Sequence, residues 1–108
     1  MIVEHTLFTV TPGSEKDFEL AMDGAREIMV RAEGFISQSL QRGIEHRTTY
    51  LLLTEWGTVE DHMVAFRGSE LFEQMLALIR PHFASAPNVE HFEAPVLSTE
   101  PDRGREQT

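Results

Sequence analysis

Five histidines are the side chains of this chain that could exchange protons near neutral pH without help from their surroundings. His5 lies in the middle of a predicted strand. His62 lies on a predicted helix, four residues before Phe66, so these two side chains share a helix face. A partly buried imidazole is suited to act as a general base. We therefore predict His5 and His62 as catalytic residues; the alternatives are a hydrogen-bonded core histidine and a surface or capping histidine.

Aromatic and imidazole side chains on other elements are candidates for contact with a substrate. His91 lies in the last predicted strand, with Glu90 and Phe92 on the opposite face, and it could pair with His5 if the first and last strands are neighbours. For each candidate, a purely structural role in the core or the sheet is the alternative. The predicted substrate-binding residues are Phe66, His91 and Trp56.

Neither a metal ion nor a cofactor is expected from the sequence. The chain has no cysteine, which excludes disulfides and cysteine-based zinc or iron–sulfur sites. The glycines do not form a P-loop or a dinucleotide-binding signature. A metal site made from His5, His62 and His91 is an alternative, but these residues lack the close spacing of common ligand motifs, and such a site would need a carboxylate beside two of them.

The charge balance limits the partners of the chain. Its 108 residues include 18 acidic and 9 basic side chains, a net charge of −9. Phosphate-backbone binding needs clustered Lys and Arg, so we expect no nucleic-acid partner. We also expect no membrane partner, because no segment approaches the roughly 20 apolar residues of a membrane helix. With no signal-peptide pattern at the N-terminus, the predicted location is the cytoplasm.

Turn residues and hydrophobic periodicity predict six elements in the order β-α-β-β-α-β. Ser14, Thr58 and Ser69 are predicted helix N-caps, and the second helix is predicted to break at Gly68. This order is typical of the ferredoxin-like α+β fold, in which both helices pack on one face of a four-stranded antiparallel sheet. The predicted elements are a strand over 1–10, a helix over 14–34, strands over 35–42 and 49–56, a split helix over 58–80 and a strand over 89–96.

The predicted domain covers residues 1–96, and its sheet has one face without cover. Residues 97–108 lack an apolar anchor and are predicted to be a flexible tail. We expect the open face to carry Phe8 and Val10, together with apolar residues of the 49–56 strand. An exposed apolar sheet face is unusual in a monomer. We therefore predict a homodimer in which two chains stack their open faces.

Short segments spread over residues 1–96 form a recognisable series. They are Glu4-His5, Pro12-Gly13, Gly34-Phe35, Tyr50-Leu51-Leu52-Leu53, Glu55-Trp56, Glu60-Asp61-His62, Ala65-Phe66-Arg67-Gly68-Ser69 and Val89-Glu90-His91-Phe92. In this order and at this length, the series resembles the antibiotic biosynthesis monooxygenase family, whose members form dimeric α+β barrels. The resemblance implies the same fold and the same kind of dimer for this chain.

The resemblance also implies a range of reactions. Some members oxidise phenols or quinols with molecular oxygen and without a metal or flavin, and we expect this activity on a small hydrophobic or aromatic ligand. The resemblance turns the His5 face towards the helices, so that His5 would line a pocket beside Phe66. The alternatives are a dimeric ligand-binding or stress-related domain without turnover and an isomerase on the same fold.

Haem degradation is not expected, although a subgroup of the family carries it out. The positions that match the characteristic asparagine, tryptophan and histidine of that subgroup are His5, Phe66 and Leu76 in this chain. Leucine cannot replace an imidazole as an iron ligand. The residue that would hold the haem iron is therefore missing.

Overall fold

The four strands and the helices follow one another in the predicted order. The structure is a computed structural model that describes residues 1–100. The elements are β1 Ile2–Thr9, α1 Glu15–Met29, β2 Phe35–Arg42, β3 Thr49–Trp56, a π-helix Asp61–Phe66, α2 Glu70–Ile79, a 3-10 turn Arg80–His82 and β4 Asn88–Glu93. The strands form one antiparallel sheet in the order β2-β3-β1-β4. The predicted ferredoxin-like α+β fold is confirmed.

The break in the second helix and its two starts are also confirmed. Thr58 and Asp61 exchange hydrogen bonds, since the Thr58 N–H donates to Asp61 Oδ2 at 3.0 Å and the Asp61 N–H donates to Thr58 Oγ1 at 3.1 Å. The Ser69 hydroxyl accepts the Phe72 N–H at 3.4 Å and begins α2. The first of the two helical segments is a π-helix, which is rare and is frequently found at functional sites.

The start of α1 differs from the prediction. Ser14 makes no capping hydrogen bond, because its backbone (φ −98°, ψ 6°) is not in the extended conformation that an N-cap needs. The Glu15 carboxylate instead accepts the Gly13 N–H at 2.6 Å. The hydrogen bond at the start of α1 therefore comes from Glu15, the first residue of the helix, and not from the residue before it.

Gly34 allows the π-helix to approach the chain entering β2. Its φ of +86° lies in the left-handed region, which favours glycine. A side chain at this position would place its first carbon 2.3 Å from the Asp61 carboxyl group. Glycine therefore permits Asp61 to sit where it caps the π-helix.

The two faces of the sheet carry different residues from those predicted. Phe8 and Val10 are buried under the helices, with 3% and 0% of their surface exposed, so their predicted place on the open face is wrong. Alternation along β1 then turns Val3, His5 and Leu7 to the open face. The sequence is ambiguous here because neither face of β1 is cleanly polar.

The core between the sheet and the helices is rich in aromatic and methionine side chains. Tyr50 anchors it at one end, since its hydroxyl donates a hydrogen bond of 2.6 Å to Glu19 of α1. No helix in residues 1–100 is long and apolar enough to cross a membrane. Residues 97–100 are exposed, and the rest of the predicted tail lies outside the described residues. The most buried large core residues are Trp56, Tyr50, Phe18, Met29, Ile79 and Val10.

Candidate functional site

A cavity of about 370 Å³ lies between the helix-covered face of the sheet and the helices. A volume of this size is typical of small-ligand sites, which span roughly 300–1,000 Å³. Most of the wall is apolar, and it is adaptable because flexible methionines of α1 and α2 line it together with aromatic rings. The main apolar lining residues are Phe8, Met22, Leu52, Phe66, Phe72 and Met75.

A buried carboxylate forms the polar end of this cavity. Glu4 of β1 is 4% exposed and lines the cavity. Its Oε1 accepts a hydrogen bond of 2.8 Å from the Trp56 indole and lies 3.3 Å from Nε2 of His62. Its Oε2 accepts a hydrogen bond from the hydroxyl of Thr6. The partners can all donate, so the arrangement suits an ionised carboxylate, which only accepts.

His62 connects this carboxylate to a third element of the fold. Its Nδ1 lies 2.8 Å from Nε2 of His91, a half-buried residue of the edge strand β4. Because Glu4 faces Nε2 of His62, that nitrogen carries the proton and Nδ1 accepts from His91. Burial lowers the pKa of His62 below its ordinary value of 6.5, and the negative charge of Glu4 opposes this effect. His62 is therefore neutral at neutral pH.

The π-helix places His62 and Phe66 side by side under the sheet. Both residues are buried and both line the cavity, which confirms that they share a helix face. The imidazole of His62 stacks on the Trp56 indole, with ring centroids 5.1 Å apart and planes 17° apart. Phe66 contacts the same indole at 5.4 Å. Trp56 thus orients the imidazole by stacking and the carboxylate by hydrogen bonding.

The predicted position of His5 beside Phe66 is wrong. His5 points to the open face of the sheet, where its ring lies 4.4 Å from that of Phe92, because residues on β1 alternate and Glu4 takes the helix side. Strands β1 and β4 are neighbours, but their register places His91 opposite Glu4, so a pair between His5 and His91 is also ruled out. A role for His5 in catalysis stays a prediction that no contact in the cavity supports.

Of the three predicted substrate-binding residues, one lines the cavity and two do not. Phe66 is a lining residue, whereas Trp56 and His91 contact the lining residues Glu4 and His62. Glu4 was not predicted as a site residue from the sequence, although its carboxyl group and the imidazole of His5 are the two groups of the first strand that can transfer a proton. Nor was Arg80, which together with Arg67 brings positive charge to the cavity wall.

Within residues 1–100, the strand carboxylates Glu4 and Glu55 have no arginine partner. Arg42 pairs with Glu15 and Glu19 of α1, each at 3.7 Å, because its side chain lies on the helix side of β2. Glu55 lies on the open face and accepts a hydrogen bond of 2.6 Å from the hydroxyl of Ser37. The buried carboxylate of the site therefore depends on uncharged donors and a neutral histidine instead of an arginine.

Comparison with known proteins adds sequence and fold relationships to this geometry. The sequence model of the family described as "Antibiotic biosynthesis monooxygenase" matches residues 1–78. The chain is 38% identical over 93 residues to YczJ of Bacillus subtilis (strain 168), an uncharacterized protein, and the match covers 86% of this chain and 98% of YczJ.

Solved structures give the same result at the level of the fold. A "Putative antibiotic biosynthesis monooxygenase" from Bordetella bronchiseptica is 41% identical, with a TM-score of 0.86 over 89% of this chain and 97% of that one. SnoaB from Streptomyces nogalater, described as a cofactor-independent oxygenase, is 20% identical, with a TM-score of 0.77 over 92% of this chain and 97% of SnoaB. At this lower identity the likeness to SnoaB concerns the fold alone.

Proposed function

Because this chain belongs to the antibiotic biosynthesis monooxygenase family, we propose that it is a cofactor-independent monooxygenase. Its proposed substrate is a small electron-rich aromatic compound, a phenol or a quinol, which is oxidised by O₂. The observation that carries the proposal is the Glu4–His62 pair, a buried carboxylate and a neutral imidazole at the wall of an apolar cavity. The fold shared with SnoaB, a cofactor-independent oxygenase, is compatible with the proposal.

The first proposed step is deprotonation of the substrate. A phenol does not readily give an electron to O₂, whereas the phenolate is electron-rich enough to do so. The phenol hydroxyl would donate to the cavity-facing carboxylate of Glu4, which takes its proton. The Glu4–His62 pair carries one negative charge before this transfer and none after it. That charge passes to the substrate oxygen, so the transfer leaves the net charge of the site unchanged and forms the O₂-reactive phenolate inside the cavity.

The oxidation consumes one O₂ for each substrate molecule. In the conversion of an anthrol to a quinone, one oxygen atom enters the product and the other leaves as water. The anion gives one electron to O₂, and the substrate radical and superoxide combine to form the C–O bond of a peroxide. The protonated pair returns its proton to the peroxide. The pair then removes, as a proton, the hydrogen on the carbon that carries the peroxide. The O–O bond breaks, that carbon becomes a carbonyl, and the departing hydroxide takes the proton back from the pair to form water.

The apolar wall has a role in this sequence. The flat rings of Phe66 and Phe72 offer faces on which an aromatic substrate can stack. A cavity that excludes water also protects the anion and the peroxide from side reactions. His62 and Trp56 hold the carboxylate in place, since both contact the same oxygen atom of Glu4.

Oxygen uptake with a panel of hydroquinones and anthrones tests the proposal. We expect uptake of one O₂ per substrate and, with ¹⁸O₂, one labelled oxygen atom in the product. Tight binding of a panel member without oxygen uptake would instead support a ligand-binding domain. A rearranged product formed without oxygen would support an isomerase.

A second copy of the chain is our proposed cover for the open face of the sheet. This face carries the apolar side chains of Leu7 and Phe92, which are 43% and 46% exposed, beside the half-exposed Leu51 and Leu53. Each buried apolar Å² contributes about 25 cal/mol, so pairing two such faces is favourable. The same residues are self-complementary in a two-fold dimer.

A further inference from the structure

Two arginines stand at the opening of the cavity. Arg67 follows the π-helix and Arg80 follows α2, and both line the cavity while their side chains remain exposed. The guanidinium of Arg67 lies 5.6 Å from the ring centroid of Phe72, another lining residue. This cation–π contact holds the charge of Arg67 against the wall of the cavity.

Neither arginine has an acidic partner in the part of the chain that the structure describes. The arginine ion pairs within residues 1–100 belong to Arg26 and Arg42. This is notable in a chain with 18 acidic and 9 basic side chains, where carboxylates outnumber the groups they could pair with. The two guanidinium groups are therefore available to an anion that approaches the cavity.

The charges along the cavity wall do not cancel. Glu4 is the acidic residue among the lining residues, and its carboxylate is already engaged by the buried donors described above. With His62 neutral, the wall carries two positive charges at its mouth and one negative charge at its inner end. Guanidinium groups bind carboxylates through paired, charge-assisted hydrogen bonds. A ligand with an apolar body and one anionic group would balance the charges.

We propose that the ligand of this cavity is an aromatic acid, whose carboxylate binds Arg67 and Arg80 at the mouth while its ring carries the reacting hydroxyl inward to Glu4. This inference rests on the proposed function for the orientation of the hydroxyl, but the anion site is independent of turnover. It makes the arginines determinants of substrate specificity. It also places the acid group and the reacting hydroxyl at opposite ends of the ligand.

Binding of a matched pair of probes tests the anion site directly. A hydroxynaphthoic acid with its two substituents on opposite rings and the corresponding carboxamide have the same shape and differ by one charge. Their affinities can be measured by calorimetry in the absence of O₂. We expect the acid to bind about 10- to 100-fold more tightly, as for a hydrogen bond to a charged group. Raising the salt concentration should reduce this ratio, because the arginines are exposed.

Substitution of the arginines then locates the effect. In the double variant Arg67→Gln, Arg80→Gln, the preference for the acid should be lost, while the matched control Arg31→Gln keeps it. Arg67 and Arg80 are exposed, and the melting temperature of each variant verifies that it is folded. Equal affinity for acid and carboxamide, no binding of either probe, or a preference that survives the double substitution would each overturn the proposal.

The outcome separates this inference from the proposed reaction. A clear preference for the acid without oxygen uptake by any phenolic acid would leave the anion site in place and refute the oxygenase. Oxygen uptake from neutral phenols without a preference for acids would do the reverse. The two proposals therefore fail in different measurements.

Discussion

Two substitutions of Glu4 separate its structural role from its proposed chemical role. Glu4→Ala removes the acceptor of the Trp56 indole, the Thr6 hydroxyl and His62. A buried donor left without a partner costs about 1–3 kcal/mol, and Glu4→Ala leaves three such donors, although no buried charge is left unpaired because His62 is neutral. We therefore expect Glu4→Ala to lose about 3–5 kcal/mol of the roughly 5–15 kcal/mol that holds a small domain folded.

Glu4→Gln keeps the shape of the side chain and removes its charge. The amide oxygen can still accept from Trp56 and His62, and the Thr6 hydroxyl can turn to accept from the new amide N–H. We expect the free energy of unfolding to change by no more than about 1 kcal/mol. Turnover should nevertheless fall by about 10²- to 10⁴-fold, the usual contribution of a general base, because an amide does not take up the phenol proton.

Urea denaturation followed by the fluorescence of Trp56 gives the free energies, since the chain has a single tryptophan. Both variants and the wild type are compared at one protein concentration, because assembly would shift the apparent stability. Oxygen uptake gives the turnover. Wild-type turnover of Glu4→Gln would refute the role of Glu4 as the general base. Equal stability of Glu4→Ala and Glu4→Gln would refute its role as the shared acceptor of the buried donors.

Three further outcomes follow from the titrating groups and the open face. Burial lowers the pKa of His62 below 6.5, so below that pH the unfolded chain binds more protons at this residue than the folded chain does. Urea denaturation between pH 5 and 8 should therefore show the free energy of unfolding falling as the pH drops from 6.5 to the folded-state pKa. This effect should be absent in His62→Gln and kept in His82→Gln. Burial and the hydrogen bond to Glu19 raise the pKa of Tyr50 to about 12, so the phenolate absorbance of this single tyrosine should appear near pH 12, and a titration centred at pH 10 would contradict it. Light scattering after size exclusion should show a dimer that Leu53→Glu converts to a monomer, whereas a folded wild-type monomer at micromolar concentration would refute the proposed dimer.

Elements with one strong local signal could be predicted from the sequence. The apolar run before Trp56 predicted the strand β3, and the spacing of Thr58 and Asp61 predicted the capping box that begins the π-helix. These features depend on residues a few positions apart. The π-helical winding itself could not be predicted, because His62 and Phe66 share a face in either kind of helix.

The orientation of β1 could not be predicted because its buried face contains polar residues. A pattern that holds Glu4 and Thr6 on one side and Val3 and Leu7 on the other favours burial of the second set. The actual burial of Glu4 depends on Trp56, 52 residues further along the chain. A local pattern does not contain such a distant donor. The positions of His62 and Phe66 at the cavity were therefore predicted correctly and that of His5 was not, while the catalytic roles of His5 and His62 stay predictions.

Side chains along β1 alternate between the two faces of the sheet, so one short segment contributes to two separate surfaces. Side chains at positions 4, 6 and 8 meet whatever enters the cavity, and those at 3, 5 and 7 meet whatever lies beyond the sheet. A saturation mutagenesis screen of this strand, scored separately for ligand response and for assembly, should thus give two interleaved profiles. Among relatives, sequence differences at the even positions would accompany differences in ligand or reaction. Differences at the odd positions would accompany differences in how the chains associate.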